Sequence, residues 1–299
     1  MSTPAIYPRL TEKLFGSPLM LHQPTAVHFG MALLKQTGII ESPAQLIQQP
    51  SGEKKTRHLA SAIEERTDRL PYRVQRVIEV VGSVAVVFMD GVIDKHVSSM
   101  DLECYGGCDL ADIDAALSFC RDEPTIAKVV IVSDTPGGSV IGVHETALRV
   151  AELARMKPVY VYIQTDCCSA GYYIASQATH IVSSMTARVG SIGVILAIVE
   201  LEKQLQMDGV GVQVIKGGKF KDMGAFWRKL TEEEWKLLEA RSAELYNRFK
   251  STVTSNRLRV SDDTMQGQCF DGIEAEDRWL VDELTGETLD EFVSRLLLS

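Results

Sequence analysis

At 299 residues with 45% hydrophobic content, the chain can bury one sizeable core, or one core plus an appendage. A net charge of −9 and a pI near 5.3 argue against a nucleic-acid surface as its main business. No apolar run approaches the roughly eighteen residues of a membrane span, and Met1–Arg9 lacks the charged-then-apolar order of a signal peptide, so a cytoplasmic, membrane-free protein is expected. The six cysteines, at 104, 108, 120, 167, 168 and 269, form no CxxC pair. Reduced thiols are the expected state, and no metal or cofactor site is indicated.

Residues 1–70 are rich in Pro, Gln and Ser. Short apolar stretches at 26–34 and 59–63 suit helices, and Gln48–Lys55 reads as a linker. This region is expected to be a helical extension that serves as a recognition or pro-segment, ahead of a domain at 71–299. From Val74 the pattern changes. Val77–Val81 and Val84–Met89 are β-branched runs split by Gly82-Ser83, which predicts paired strands. Ile113, Ala116, Leu117 and Cys120 recur with a helical period over 110–120. The continuous apolar run Ala127–Val132 predicts a strand buried on both faces. A helix over 140–154, a strand over 159–163 and a helix over 170–178 follow. A long helix is predicted over 232–258, with Trp235, Leu238, Leu245 and Phe249 along or near one face, and a final helix over 289–298. Alternating strands and helices predict an α/β fold with a mostly parallel sheet.

Ser169 stands at the predicted strand-to-helix turn within Thr165-Asp166-Cys167-Cys168-Ser169-Ala170-Gly171-Tyr172-Tyr173. Small flanking residues suit presentation of a hydroxyl, although a serine opening a helix is more often just a cap. A serine nucleophile needs a base. His144 and His180 show no acid partner in the sequence, and His180 opens an apolar strand, so a lysine is the better base. Lys216, Lys219 and Lys221 cluster downstream. Pro136-Gly137-Gly138, between a buried strand and a helix, supplies N–H groups free of Cβ atoms; the plainer reading is a tight turn. Ser191 likewise suits a turn in Gly190-Ser191-Ile192-Gly193. Tyr172 and Tyr173 read as packing residues, and Cys168 as small filling rather than a nucleophile.

Five blocks in order carry a resemblance: Val84–Ile93; Val129–Val140, with Asp134-Thr135-Pro136-Gly137-Gly138; the serine block continuing to Val189–Val194; Val214–Asp222, with Lys216-Gly217-Gly218-Lys219-Phe220-Lys221-Asp222; and Phe270–Ala275 with Leu280–Leu284. Together they resemble the signal peptide peptidase (protease IV) family of serine–lysine peptidases, most of all its phage capsid-assembly, or prohead, protease branch. Leu10–Leu19 looks like the leader of that branch. The resemblance implies a ClpP/crotonase-like spiral of ββα units with long C-terminal helices. It places the nucleophile on Ser169, the general base on Lys221 and a lysine-orienting hydroxyl on Ser191. The oxyanion hole falls to the N–H groups of Gly137 and Gly138, with Ala170 as a further donor. Cys167-Cys168 departs from the small residues usual there. The implied activity is a serine endopeptidase acting on scaffold, portal or capsid proteins, as a ring-like homo-oligomer in which one subunit's lysine serves its neighbour's serine. The alternatives are a general cytoplasmic peptidase of the same family, an inactive assembly protein with this fold, and an acyl-CoA enzyme of crotonase type.

Overall fold

The computed structural model describes residues 19–21 and 67–299. The apolar stretches at 26–34 and 59–63 and the linker at 48–55 lie outside the described residues, as does most of the 1–70 extension. After β1 (Leu19–Leu21) and a short helix α1 (Tyr72–Gln75) come β2 (Ile78–Val81), β3 (Val84–Asp90) and β4 (Ile93–Asp94). Then follow α2 (Ser99–Tyr105), β5 (Cys108–Asp109), α3 (Leu110–Asp122), β6 (Lys128–Thr135), β7 (Gly137–Ser139) and α4 (Val143–Met156). β8 (Val159–Cys168), α5 (Ala170–Ala175), β9 (His180–Ser183), β10 (Arg188–Gly190) and α6 (Glu202–Met207) lead to the long helix α7 (Glu232–Asn256). β11 (Cys269–Phe270), α8 (Gly272–Asp277), β12 (Glu283–Leu284) and α9 (Leu289–Leu298) complete the described chain.

The large sheet runs β11-β10-β8-β6-β3-β2, with β3, β6, β8 and β10 mutually parallel and the outer strands β2 and β11 antiparallel. It forks at β8. Tyr160–Ile163 pairs with β9, whereas Asp166–Cys168 pairs with β10. A smaller sheet runs β1-β7-β4-β5. Twice, a long strand of the large sheet passes directly into a short strand of the small one and then into helix: β3 to β4, and β6 to β7. The expected α/β class with a mainly parallel sheet built of ββα units is therefore what the chain forms.

The apolar runs are continuous because both sheet faces are covered. Ala85, Val87 and Met89 of β3 pack with Ile113, Ala116 and Leu117 of α3 in the main core. Their alternates Val84, Val86 and Phe88 pack with Phe292, Val293 and Leu296 of α9 on the opposite face. Asp109 caps α3, its carboxylate accepting the N–H of Ala111 at 2.9 Å. α7 begins on a capping box between Thr231 and Glu234. Its expected apolar face is docked only near the C-terminal end, where Phe249 and Val253 are buried and the Phe249 ring lies 4.8 Å from that of Tyr173. Trp235 stays 60% exposed. Among the described residues no helix is long and apolar enough to cross a membrane.

Candidate active site

β8 ends at Cys168 and α5 begins at Ala170, so Ser169 alone makes the corner. Its backbone sits at φ 54°, ψ −116°, a conformation rare outside glycine that costs about 1–3 kcal/mol and survives only where the surroundings enforce it. They do so from three sides. The Ser169 N–H donates to the Gly190 carbonyl at 2.8 Å, and the Ser169 carbonyl accepts the Tyr173 N–H at 2.8 Å. On the third side a Cβ on Gly137 would lie 2.9 Å from the Ser169 Cβ, which only a glycine avoids. Gly171 is needed for the same reason, since its Cβ would meet the Thr135 Cγ2 at 2.4 Å. The corner thus presents a hydroxyl against a Gly-rich wall. Ser169 is 1% exposed, and its Oγ has no hydrogen-bond partner among the described residues. A buried, unpartnered hydroxyl costs folding free energy without return.

The wall itself is partly engaged. The Gly137 N–H donates to the Thr135 Oγ1 at 3.1 Å, and that hydroxyl donates in turn to the Gly91 carbonyl at 2.6 Å. Gly138 is locked between strands, because a Cβ there would meet the Ile93 carbonyl oxygen at 2.0 Å. Ala170 opens α5, its N atom 3.0 Å from where a Gly137 Cβ would sit. Gly137 and the N atom of Ala170 thus lie beside Ser169, and Gly138 is the next residue along β7.

Ser191 is buried and also has positive φ, at 51°. Its N–H donates to the Gln268 carbonyl at 2.6 Å, and its hydroxyl neighbours the Cys269 thiol. Cys168 and Cys269 flank side-chain-free Gly190 from the strands on either side, and their sulfurs lie 3.6 Å apart. Hydrogen bonding to Cys269, followed by burial, raises the Cys168 pKa, whereas the Cys168 thiol as donor lowers that of Cys269. Burial pushes Cys167 up to about 12. The sulfur beside Ser169 is thus kept protonated, consistent with a filling role. The described cysteines 108, 120, 167, 168 and 269 are all free thiols.

The lysine cluster lies on an exposed turn: the Lys221 N–H reaches back to the Gly218 carbonyl at 3.3 Å. Lys216 Nζ pairs with Asp222 at 2.5 Å, and Lys219 pairs with Glu233. Lys221 is the member of the cluster with no carboxylate partner among the described residues. It is exposed, and within one chain it makes no hydrogen bond to Ser169. Residues 206–221 are exposed throughout, including Val210, Val212, Val214, Phe220 and the wholly open Ile215.

Sequence reasoning missed the clamp behind this turn. Arg228 donates from Nε to the Asp222 Oδ2 at 3.0 Å and from Nη2 to Oδ1 at 2.8 Å, and also grips Glu234 at 2.6 and 2.8 Å. The turn bearing Lys221 is thereby fastened to the start of α7. The Thr231-x-x-Glu234 pattern was a readable signal for one half of it. His180 also departs from expectation. It has acid partners, Glu283 at 3.1 Å and Asp282 at 3.8 Å, on segments about a hundred residues away. Neither it nor His144, which contacts the Tyr173 hydroxyl at 2.8 Å, reaches the Ser169 Oγ. No described group of three or more His, Cys, Asp or Glu side chains is placed to hold a metal ion.

Residues 151–296, which carry Ser169, Ser191 and Lys221, match the model for Peptidase family S49. The chain carries a peptidase family S49 domain. Capsid assembly protease C of Escherichia phage lambda is 30% identical over 287 residues, covering 94% of this chain and 64% of that protein. The head-tail preconnector protein GP5 of Enterobacteria phage P21 is 27% identical over 73% of this chain and 43% of its own length. Protease 4 of Salmonella typhi is 29% identical over 71% of this chain and 34% of its own. The chain spans 64%, 56% and 61% of the lengths of the first relatives it matches. Among solved structures, an enoyl-CoA hydratase from Polaromonas sp. JS666 aligns with a TM-score of 0.39 at 15% identity, over 74% of this chain and 75% of that one. That likeness is too low to carry an argument. The S49 match and the protease 4 and signal peptide peptidase relatives agree with the family expected from the five sequence blocks. Gly137 and Gly138 lie before the matched segment.

Proposed function

We propose that the S49 domain is a serine endopeptidase in which Ser169 attacks the peptide carbonyl and Lys221 of a second copy removes the hydroxyl proton. The observation that carries this reading is the Ser169 corner: a strained residue with a buried, unpartnered hydroxyl, packed against Gly137 at the start of α5. An amine acts as a base only when neutral, which requires its removal from water. Lys221 is exposed in the single chain. A neighbour docking over the apolar residues 210–220 would supply both the burial and the serine.

In this scheme Lys221 Nζ takes the Ser169 proton as Oγ bonds to the carbonyl carbon. The oxyanion is met by the N–H groups of Ala170, Gly138 and Gly137, the last after release from the Thr135 hydroxyl. The protonated lysine then donates to the departing amine, leaving an acyl-serine that water cleaves by the same proton shuttle. Ser191 would orient the incoming lysine. Head proteins (scaffold, portal or capsid) are the proposed substrates, and the host cytoplasm or the prohead the place of action; the names of two phage relatives, a capsid assembly protease and a head-tail preconnector protein, support a head-protein substrate. Co-expression with neighbouring head genes, followed by mapping of new N-termini, tests this. Ser169→Ala and Lys221→Ala should both abolish cleavage, and Lys221→Arg should fail too, since a guanidinium does not deprotonate. Cleavage that persists in Ser169→Ala would leave an assembly protein with a serine-independent role.

A further inference from the structure

The three residues of β1 are bonded on both sides. Along one edge Leu19, Met20 and Leu21 oppose Ser139, Gly138 and Gly137 of β7, antiparallel. Along the other, the Leu19 N–H donates to the Ile195 carbonyl at 2.8 Å and its carbonyl accepts the Ile195 N–H at 2.9 Å. Both neighbours continue directly from the Ser169 site, β7 from the Gly137 wall and Ile195 from the loop after Ser191. Leu19 and Met20 are 2% and 3% exposed. A segment otherwise remote in sequence thus fills a slot between two strand edges of the peptidase domain.

Its register within that slot brings a backbone carbonyl to the Gly137–Gly138 wall. Because the polar groups of Leu19 face Ile195, alternation turns the N–H and C=O of Met20 toward Gly138. The Met20 carbonyl oxygen also lies 2.3 Å from where a Gly137 Cβ would sit, on the side of that glycine crowded by the Ser169 Cβ. A backbone carbonyl therefore already stands at the wall assigned to the oxyanion. With Ser169 1% exposed, no outside peptide reaches the hydroxyl in this arrangement.

We propose that the slot between β7 and Ile195 is a docking site for an extended peptide, and that Leu19–Leu21 is its tethered occupant, excluding substrate until displaced. The slot recognises backbone by strand addition and takes apolar side chains at the Leu19 and Met20 positions. This rests on the reading of Ser169 as nucleophile. The first variant is Leu19→Pro in the full chain, which removes the donor to Ile195. The second is Ile195→Pro, which removes the reciprocal donor without touching β1.

Two readouts are taken on protein whose circular dichroism and melting stay cooperative. One is the rate of Ser169 modification by a fluorophosphonate. The other is anisotropy of a fluorescent synthetic peptide spanning residues 16–23. Either variant should label about tenfold faster or more, the scale on which a competitor at roughly millimolar effective concentration masks a site. Leu19→Pro should also bind the peptide, which wild type refuses, and excess peptide should slow its labelling again; Ile195→Pro, which removes a donor of the slot itself, should not gain that binding. Wild-type labelling rates in both folded variants, or no peptide binding to folded Leu19→Pro, would overturn the proposal. If both variants unfold, wild type decides alone: peptide binding as tight as to any other surface-exposed slot would show that β1 does not fill it, and refusal would support it. Peptide binding without labelling of Ser169 would uphold the slot and sink the nucleophile instead.

Discussion

The N–H of Ser169 donates to the carbonyl oxygen of Gly190 at 2.8 Å, tying the end of β8 to the end of β10 one residue before Ser191. Two residues of the site with positive φ, 169 and 191, are thereby tied together through Gly190. The strain at Ser169 is enforced by main chain rather than by side chains, so substitutions that move main chain should be the most damaging.

Gly137→Ala tests that directly. The added methyl would meet the Met20 carbonyl and the Ser169 Cβ at 2.3 and 2.9 Å, on a residue whose φ is 96°. A loss of about 2 kcal/mol or more is expected, read as a lower melting temperature together with loss of fluorophosphonate labelling. A variant that melts and labels like wild type would refute the packing of Ser169 against this wall.

The Arg228 clamp has a pH signature. Arg228 is the main cause holding the Glu234 carboxyl down, from its ordinary 4.5 to about 2, and it holds Asp222 well below the carboxylate range too. A depressed folded pKa contributes stability that is present above the unfolded value and lost as pH falls through the folded one. The difference in melting temperature between wild type and Arg228→Gln should therefore be full above pH 4.5 and fade toward pH 2. A difference that is constant across that window would show the clamp to be inert. At neutral pH, Arg228→Gln should also lower kcat more than it raises KM, because the Lys221 turn loses its anchor.

Thiol chemistry separates the cysteines. Cys269 has the lowered pKa and partial exposure, whereas burial raises Cys120 and Cys167 to about 12 and raises Cys108 further. Time-resolved iodoacetamide labelling read by mass spectrometry should modify Cys269 before any of those three. Equal labelling of Cys167 would mean that the corner beside Ser169 opens readily.

The large sheet was legible because β3 and β6 are buried on both faces, and such strands read as unbroken Val and Ile runs. The serine corner was legible because close packing there leaves only small residues, as Gly171 against Thr135 shows. The short strands β4, β5, β7 and β10 carry too few residues for any period to emerge. β8 was expected to stop at Ile163 because Gln164, Thr165 and Asp166 break the apolar run, yet it continues to Cys168 by forking to β10. β1 has no pattern of its own. Its place is set by the edges it fills, which are distant in sequence, as is the acid pairing of His180. The Lys221 turn gave a lysine-rich block but no conformation, since its order comes from Arg228.

The central claim is that Ser169 is served by Lys221 of another copy. Mixing separately purified Ser169→Ala and Lys221→Ala proteins, each inactive alone, tests it most directly. Cleavage of a head-protein substrate should return on mixing, because some interfaces then pair an intact serine with an intact lysine. If the two proteins co-assemble, as shown by co-purification through a tag on one of them, and cleavage does not return, the shared site is contradicted.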